Sequence, residues 1–158
     1  MKLLGYADSD WATGKVDRKS ISGYVFLFGD SLVSCSSKKQ TVVTLSSMEA
    51  EYIALSSSTQ EGIWLRNLLS SISFPPNNPT TIKQDNQATI TFSETNKISQ
   101  RSKHIDVRHY FVKQSIENNQ IMLEYVPSRE NLADIFTKPL GKEQFEYLRA
   151  KLGVTQRK

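Results

Sequence analysis

Apolar residues early in the chain come in short runs rich in aromatic and β-branched types, a strand signature. Leu3-Leu4-Gly5-Tyr6-Ala7 is one such run, and the acidic Asp8-Ser9-Asp10 follows it. Ser22-Gly23-Tyr24-Val25-Phe26-Leu27-Phe28 is the next, and Gly29-Asp30 after it is a hairpin signal. Leu32-Val33-Ser34-Cys35-Ser36-Ser37 is the expected partner, so the three segments predict an antiparallel meander. The period then changes. Met48, Tyr52, Leu55, Ile63 and Leu65 through Leu69 recur at helical spacing. They predict a helix running to about Ser71, with Ser46 or Ser47 as N-cap and Glu49 in the first turn. Gly62 lies inside it, at a cost of roughly 1 kcal/mol against Ala.

Residues 74–79 contain three prolines and predict a loop. Thr80-Thr81-Ile82-Lys83-Gln84 reads as a short strand before Asp85, and 86–92 as a helix. The polar stretch 97–103 is expected to be a loop, and 104–118 a helix carrying Ile105, Tyr110, Phe111, Val112 and Ile116. A fifth strand over 120–126 is halted by Pro127. A short helix over 130–136 and a last helix over 142–152 follow, the last with Phe145, Leu148 and Leu152 on its inner face. This order predicts a mixed α/β domain.

Composition narrows the class. The 158 residues fit one domain, expected over 1–153 with a frayed tail at 154–158. A hydrophobic share of 38% and a charged share of 23% exclude a disordered, collagenous or membrane class. No run approaches the roughly 18 apolar residues of a membrane helix. The N-terminal segment meets charge too early for a signal peptide, so an intracellular chain is expected. A single cysteine, Cys35, excludes an internal disulfide and a cysteine zinc cluster. The net charge of +4 is concentrated. Lys97, Arg101, Lys103, Arg108 and Lys113 face only Asp106 within 97–113, which also holds His104 and His109. Such a patch on a near-neutral body suggests a polyanion partner; a solvated helix face is the alternative.

Four acids stand at comparable places. Asp8 follows the first strand, Glu51 lies near the start of the long helix, Asp85 follows the fourth strand, and Asp134 lies in the short helix after the fifth. In an open α/β sheet such ends converge at a crevice. Carboxylates gathered there repel unless a cation neutralises them. An all-oxygen set suits Mg²⁺ or Mn²⁺, and two such ions about 4 Å apart can clamp both oxygens of a phosphodiester displacement. Helix caps and surface charges are the competing explanation for these four positions.

Several blocks then carry a resemblance. They are Tyr6-Ala7-Asp8-Ser9-Asp10-Trp11-Ala12, Arg18-Lys19-Ser20-Ile21-Ser22-Gly23-Tyr24, Ser36-Ser37-Lys38-Lys39-Gln40-Thr41 and Leu45-Ser46-Ser47-Met48-Glu49-Ala50-Glu51-Tyr52. Asp85-Asn86-Gln87, Ser102-Lys103-His104-Ile105-Asp106-Val107-Arg108 and Ala133-Asp134-Ile135-Phe136-Thr137-Lys138-Pro139-Leu140 complete them. In this order the chain resembles the ribonuclease H domain of copia-type LTR retrotransposon polyproteins. The resemblance implies an α/β ribonuclease H-like fold, a five-stranded mixed sheet flanked by helices on both faces. It implies metal-dependent hydrolysis of the RNA strand of RNA–DNA hybrids with two Mg²⁺ or Mn²⁺ ions, beside an upstream reverse transcriptase domain. The setting it implies is cytoplasmic, within virus-like particles, with no membrane partner. Asp8, Glu51, Asp85 and Asp134 are the implied catalytic and metal-binding residues. Glu51 is preferred to Glu49, because two residues on a helix differ by about 200° and cannot serve one site equally. Gln87 resembles a hybrid-contacting position, with solvent exposure as its equal alternative.

Other residues are weighed beside these. Asp10 shares a strand face with Asp8 if the strand continues, and is expected to be a surface acid. Arg101, Lys103 and Arg108 are candidate phosphate contacts, with His104 four residues before Arg108 on one helix face. Trp11 and Trp64 are expected to pack in the core or at its rim. The sequence departs from many enzymes of this fold in having no histidine in the loop 127–131, where Arg129 and Glu130 are unassigned candidates for proton transfer or product release. Ser47 and Met48 stand where relatives often carry amides. A noncatalytic hybrid-binding domain supporting the polymerase is the alternative function; a DNA nuclease or recombinase on the same fold is opposed by the blocks above.

Overall fold

The computed structural model describes residues 2–14, 16–95 and 103–154, with side chains in the last segment described from 107 onward. Strands β1 (Leu3–Asp10), β2 (Ile21–Phe28) and β3 (Ser31–Lys39) form the predicted antiparallel meander. Helix α1 (Ser47–Ser71) follows, with the Ser46 hydroxyl accepting from the Glu49 N–H as its cap. Next come β4 (Thr80–Gln84), α2 (Gln87–Glu94), α3 (Lys103–Glu117), β5 (Ile121–Tyr125) and α4 (Lys142–Lys151). The strand order is β3-β2-β1-β4-β5, with β4 parallel to both β1 and β5, so the sheet is mixed.

Strand alternation gives the sheet two apolar faces. Leu3, Ala7, Phe26 and Ile82 meet Tyr52, Leu55 and Leu65 of α1 and Val112 of α3 on one side. Tyr6, Val25 and Leu27 meet Leu132, Ala133, Leu148 and Leu152 on the other. Gly62 is accounted for by this packing: a Cβ there would sit 3.2 Å from the buried Phe26 ring.

Four expectations are corrected. Asp8 does not follow the first strand but lies inside it. Asp8, Ser9 and Asp10 pair with Gly23, Ser22 and Ile21, and ladder hydrogen bonding is indifferent to side-chain polarity. The expected helix over 130–136 is two 3₁₀ turns, Ser128–Glu130 and Leu132–Phe136. Asn131 separates them because its buried side chain is committed elsewhere. Its amide nitrogen donates to the Ala7 carbonyl at 3.0 Å and its amide oxygen accepts from the Ala133 N–H. Phe145 is 41% exposed rather than inward. Helical spacing groups it with Leu148 and Leu152 but does not set how far the surface beneath extends. Its ring faces the Arg149 guanidinium instead. Lys103, expected in a loop, opens α3; the rest of the predicted 97–103 loop, Arg101 included, lies outside the described residues, as does 155–158.

Candidate active site

The end of β1 is where the acidic residues meet. Asp8 continues the Leu4–Tyr6 row toward the face that carries the Leu132–Phe136 turn. Asp85 stands one residue beyond the adjacent parallel strand β4, and Asp134 lies in that 3₁₀ turn. One carboxylate oxygen from each of Asp8, Asp85 and Asp134 lies within 4.8 Å of the other two. Three parts of the chain distant in sequence thus converge at one end of the sheet. Two of the acids are almost wholly withdrawn from water, Asp8 at 1% exposure and Asp134 at 4%.

Glu51 reaches the same end from α1 on the opposite face and is buried. It is not one of the three close carboxylates. Its Oε2 instead accepts from the Gln84 side-chain amide at 2.6 Å. Glu49 is turned elsewhere and accepts from the Leu45 N–H at 2.7 Å, fixing the helix start. Asp10 is half-buried at the last position of β1 and stands apart from the trio.

The electrostatics follow from crowding and burial. Burial, then the charge of Asp134, pushes the Asp8 carboxyl up to about 8. Burial also raises Asp134, and it raises Glu51 well above the usual carboxylate range with the charges of Asp8 and Asp85 adding to it. Against this stands Lys138. Its Nζ is 3.0 Å from Asp134 Oδ1 and 3.9 Å from Asp8 Oδ2. Burial works against its ammonium, but Asp8 and Asp134 outweigh that and hold its pKa above the ordinary lysine value.

Hydroxyls complete the arrangement. Thr137 donates a hydrogen bond to Asp8 Oδ2, and Ser128 donates one to Asp85 Oδ2. Sequence reasoning missed Lys138, Thr137, Ser128 and Gln84 as site groups. Lys138 had a signal, since it lies one helical turn beyond Asp134. Ser128 and Gln84 had none, because only the folding of β5 and β4 brings them to the acids. A three-carboxylate donor set without sulfur or imidazole fits a hard divalent ion.

A groove of about 550 Å³ lies beside α1, over β2 and β3. Lys38, Lys39, Arg108 and the half-exposed Trp64 line it. Trp64 and Trp11 are both rim residues, and the Trp11 indole N–H donates to the Thr44 carbonyl. Of the two predicted nucleic-acid contacts whose side chains are described, Arg108 borders this groove and Gln87 does not. Gln87 is exposed at the first position of α2. Lys103 begins α3, its side chain outside the described residues, and Arg101 is likewise outside. Lys38 and Lys39 lie far along the chain from the basic stretch 97–113, and only the fold brings them beside Arg108. No helix among the described residues is long and apolar enough to cross a membrane.

No protein-family model matches the chain. The Retrovirus-related Pol polyprotein from transposon RE1 of Arabidopsis thaliana is 33% identical over 99% of this chain. That from transposon TNT 1-94 of Nicotiana tabacum is 34% identical over 96%. The chain spans only 11% of the length of either relative. Among solved structures, LC11-RNase H1 from compost superposes with a TM-score of 0.64 at 14% identity, covering 92% of this chain and 96% of that one. The same protein in complex with an RNA/DNA hybrid gives 0.60 at 13% identity, with 86% and 94% covered. Sheet order, acid placement and these likenesses agree: the chain is a ribonuclease H-fold domain, homologous to a segment of the copia-type Pol polyproteins of plant transposons.

Proposed function

We propose that this domain is a divalent-metal-dependent endoribonuclease that hydrolyses the RNA strand of RNA–DNA hybrids during retrotransposon reverse transcription. The observation that carries the reading is the convergence of Asp8, Asp85 and Asp134 from three separate elements, which costs stability unless it serves a cation. When bound, divalent metal supplies the activated water and the charge neutralisation that phosphodiester hydrolysis needs. Asp8, Asp85 and Asp134 would hold it, with Mg²⁺ or Mn²⁺ as the matching ions and two as the expected number. Glu51 completes the acidic wall and is oriented by Gln84. Thr137 fixes the rotamer of Asp8 and Ser128 that of Asp85, so neither carboxylate must reorganise as the substrate arrives. Arg108, together with Lys38, offers phosphate contacts along the groove, while the Lys39 ammonium is paired with Asp17 at 2.8 Å; Gln87, Arg101 and Lys103 are further candidates for contact with the hybrid. In this reading the domain works in the cytoplasm, inside virus-like particles, beside the reverse transcriptase of the same polyprotein.

The test is release of labelled RNA from a hybrid with Mg²⁺ or Mn²⁺, against chelator, single-stranded RNA and duplex DNA controls. Asp8→Asn, Glu51→Gln, Asp85→Asn and Asp134→Asn are each expected to reduce cleavage by at least about 10²-fold with the circular dichroism spectrum unchanged. Hybrid binding without cleavage by the unaltered domain would establish a noncatalytic role instead.

A further inference from the structure

The acidic cluster already contains a cation. Lys138 sits one helical turn past Asp134, in the Thr137-Lys138-Pro139 segment that closes over the end of β1. Its ammonium is 3.0 Å from one carboxylate of the trio and 3.9 Å from another, and its side chain is only about one-third exposed at 32%. Neighbouring Thr137 donates to the same Asp8 oxygen that Lys138 approaches. The two residues therefore clamp Asp8 together, one by a neutral hydrogen bond and one by charge. Asp134 accepts no shorter ion pair among the described residues. A lysine ammonium placed this way engages two of the carboxylates that a divalent ion would use.

We propose that Lys138 is the domain's internal counter-ion, neutralising the Asp8–Asp134 pair when metal is absent, and that a divalent ion must displace its ammonium to enter. The inference rests on the metal-binding reading of the cluster. An ammonium and a divalent ion crowded against the same buried carboxylates repel each other, so each weakens the other's hold. Lys138 thus stabilises the metal-free fold while raising the metal concentration at which the site fills. The long, flexible stem of lysine permits the ammonium to swing aside without moving the backbone.

The probe is Mg²⁺ alone, without nucleic acid, titrated calorimetrically into the unaltered domain and into Lys138→Met. Thermal unfolding in chelator is measured in parallel. Lys138→Met is expected to melt lower without metal yet bind Mg²⁺ about tenfold more tightly, equivalent to about 1.4 kcal/mol. Lys138→Arg keeps the charge and should bind Mg²⁺ as the unaltered domain does. A lysine with a merely structural role would lower the melting temperature and leave the Mg²⁺ affinity unmoved. Equal or weaker binding by Lys138→Met overturns the proposal while leaving the metal site intact. Absence of any Mg²⁺ binding by the unaltered domain overturns both. Should Lys138→Met not fold without metal, the unaltered domain decides by nitrogen-15 NMR of its lysine ammonium groups. The Lys138 signal, held in slow exchange by its ion pairs, should be lost at saturating Mg²⁺, and its persistence would overturn the displacement.

Discussion

Asp8 shows how much a single buried acid can impose. Its ordinary carboxyl value is 3.8, and burial with Asp134 beside it raises this to about 8 in the fold. A raised folded value means the native state holds the proton that the unfolded chain releases. The stabilisation is complete below about 3.8 and is lost as pH rises through about 8. In chelator the melting temperature should therefore fall between pH 4 and pH 8, and Asp8→Asn should flatten that fall. A scan of melting temperature against pH checks this. Gln84 is a second residue whose role is purely spatial. Its amide is the hydrogen-bond donor to buried Glu51. Gln84→Met keeps the volume and removes the donor, and should cost about 1–3 kcal/mol in urea unfolding. Asp8 was legible in the sequence as an acid beside a strand. The partners that set its chemistry, Thr137 and Lys138, come 129 and 130 positions later in the chain.

Elements behave according to how local their cause is. The start of α1 is local: Ser46, Glu49 and the Leu45 N–H form a reciprocal cap within five residues. Ser46→Ala should cost about 1 kcal/mol of stability, read by thermal or chemical unfolding. The packing of β2 against the Leu132–Phe136 turn is not local. A Cβ on Gly23 would lie 2.6 Å from Thr137 Cγ2 and 3.1 Å from Phe136 Cβ. Gly23→Ala should destabilise by about 1–3 kcal/mol and also lower cleavage, since the displaced Thr137 is the donor to Asp8. Stability loss with unchanged cleavage per folded molecule would separate the turn from the site. The same distinction explains the failed expectation over 130–136. Its sequence reads as a short helix, but Asn131 satisfies the carbonyl of Ala7 in β1, and that long-range bond outweighs continuity of the helix.

At the scale of the molecule, the carboxylate cluster and the cation-bearing groove lie apart, with Lys138 standing among the acids and Glu61 lining the groove. The carboxylates gather at the end of β1, and the cations of β3 and α3 flank a groove along α1. Lys38→Glu with Arg108→Glu should weaken hybrid binding and reduce the slope of log Kd against log salt by about 1–2. Fluorescence anisotropy of a labelled hybrid across a salt series measures it; an unchanged slope would mean that the hybrid does not follow the groove.

Hydrophobic period, turn residues and acid placement, read from the sequence alone, determined the strands, the long helix, the mixed α/β class and the four candidate acids, because those signals depend on neighbours within a turn or a pleat. The blocks shared with a known family added the fold by resemblance. Only the tertiary structure decided which acids lie within reach of one another, that Glu51 turns to Gln84, and that Lys138 stands among the carboxylates. Those facts depend on side chains that the fold brings together from distant parts of the chain, where burial and mutual charge, rather than local propensity, set the geometry.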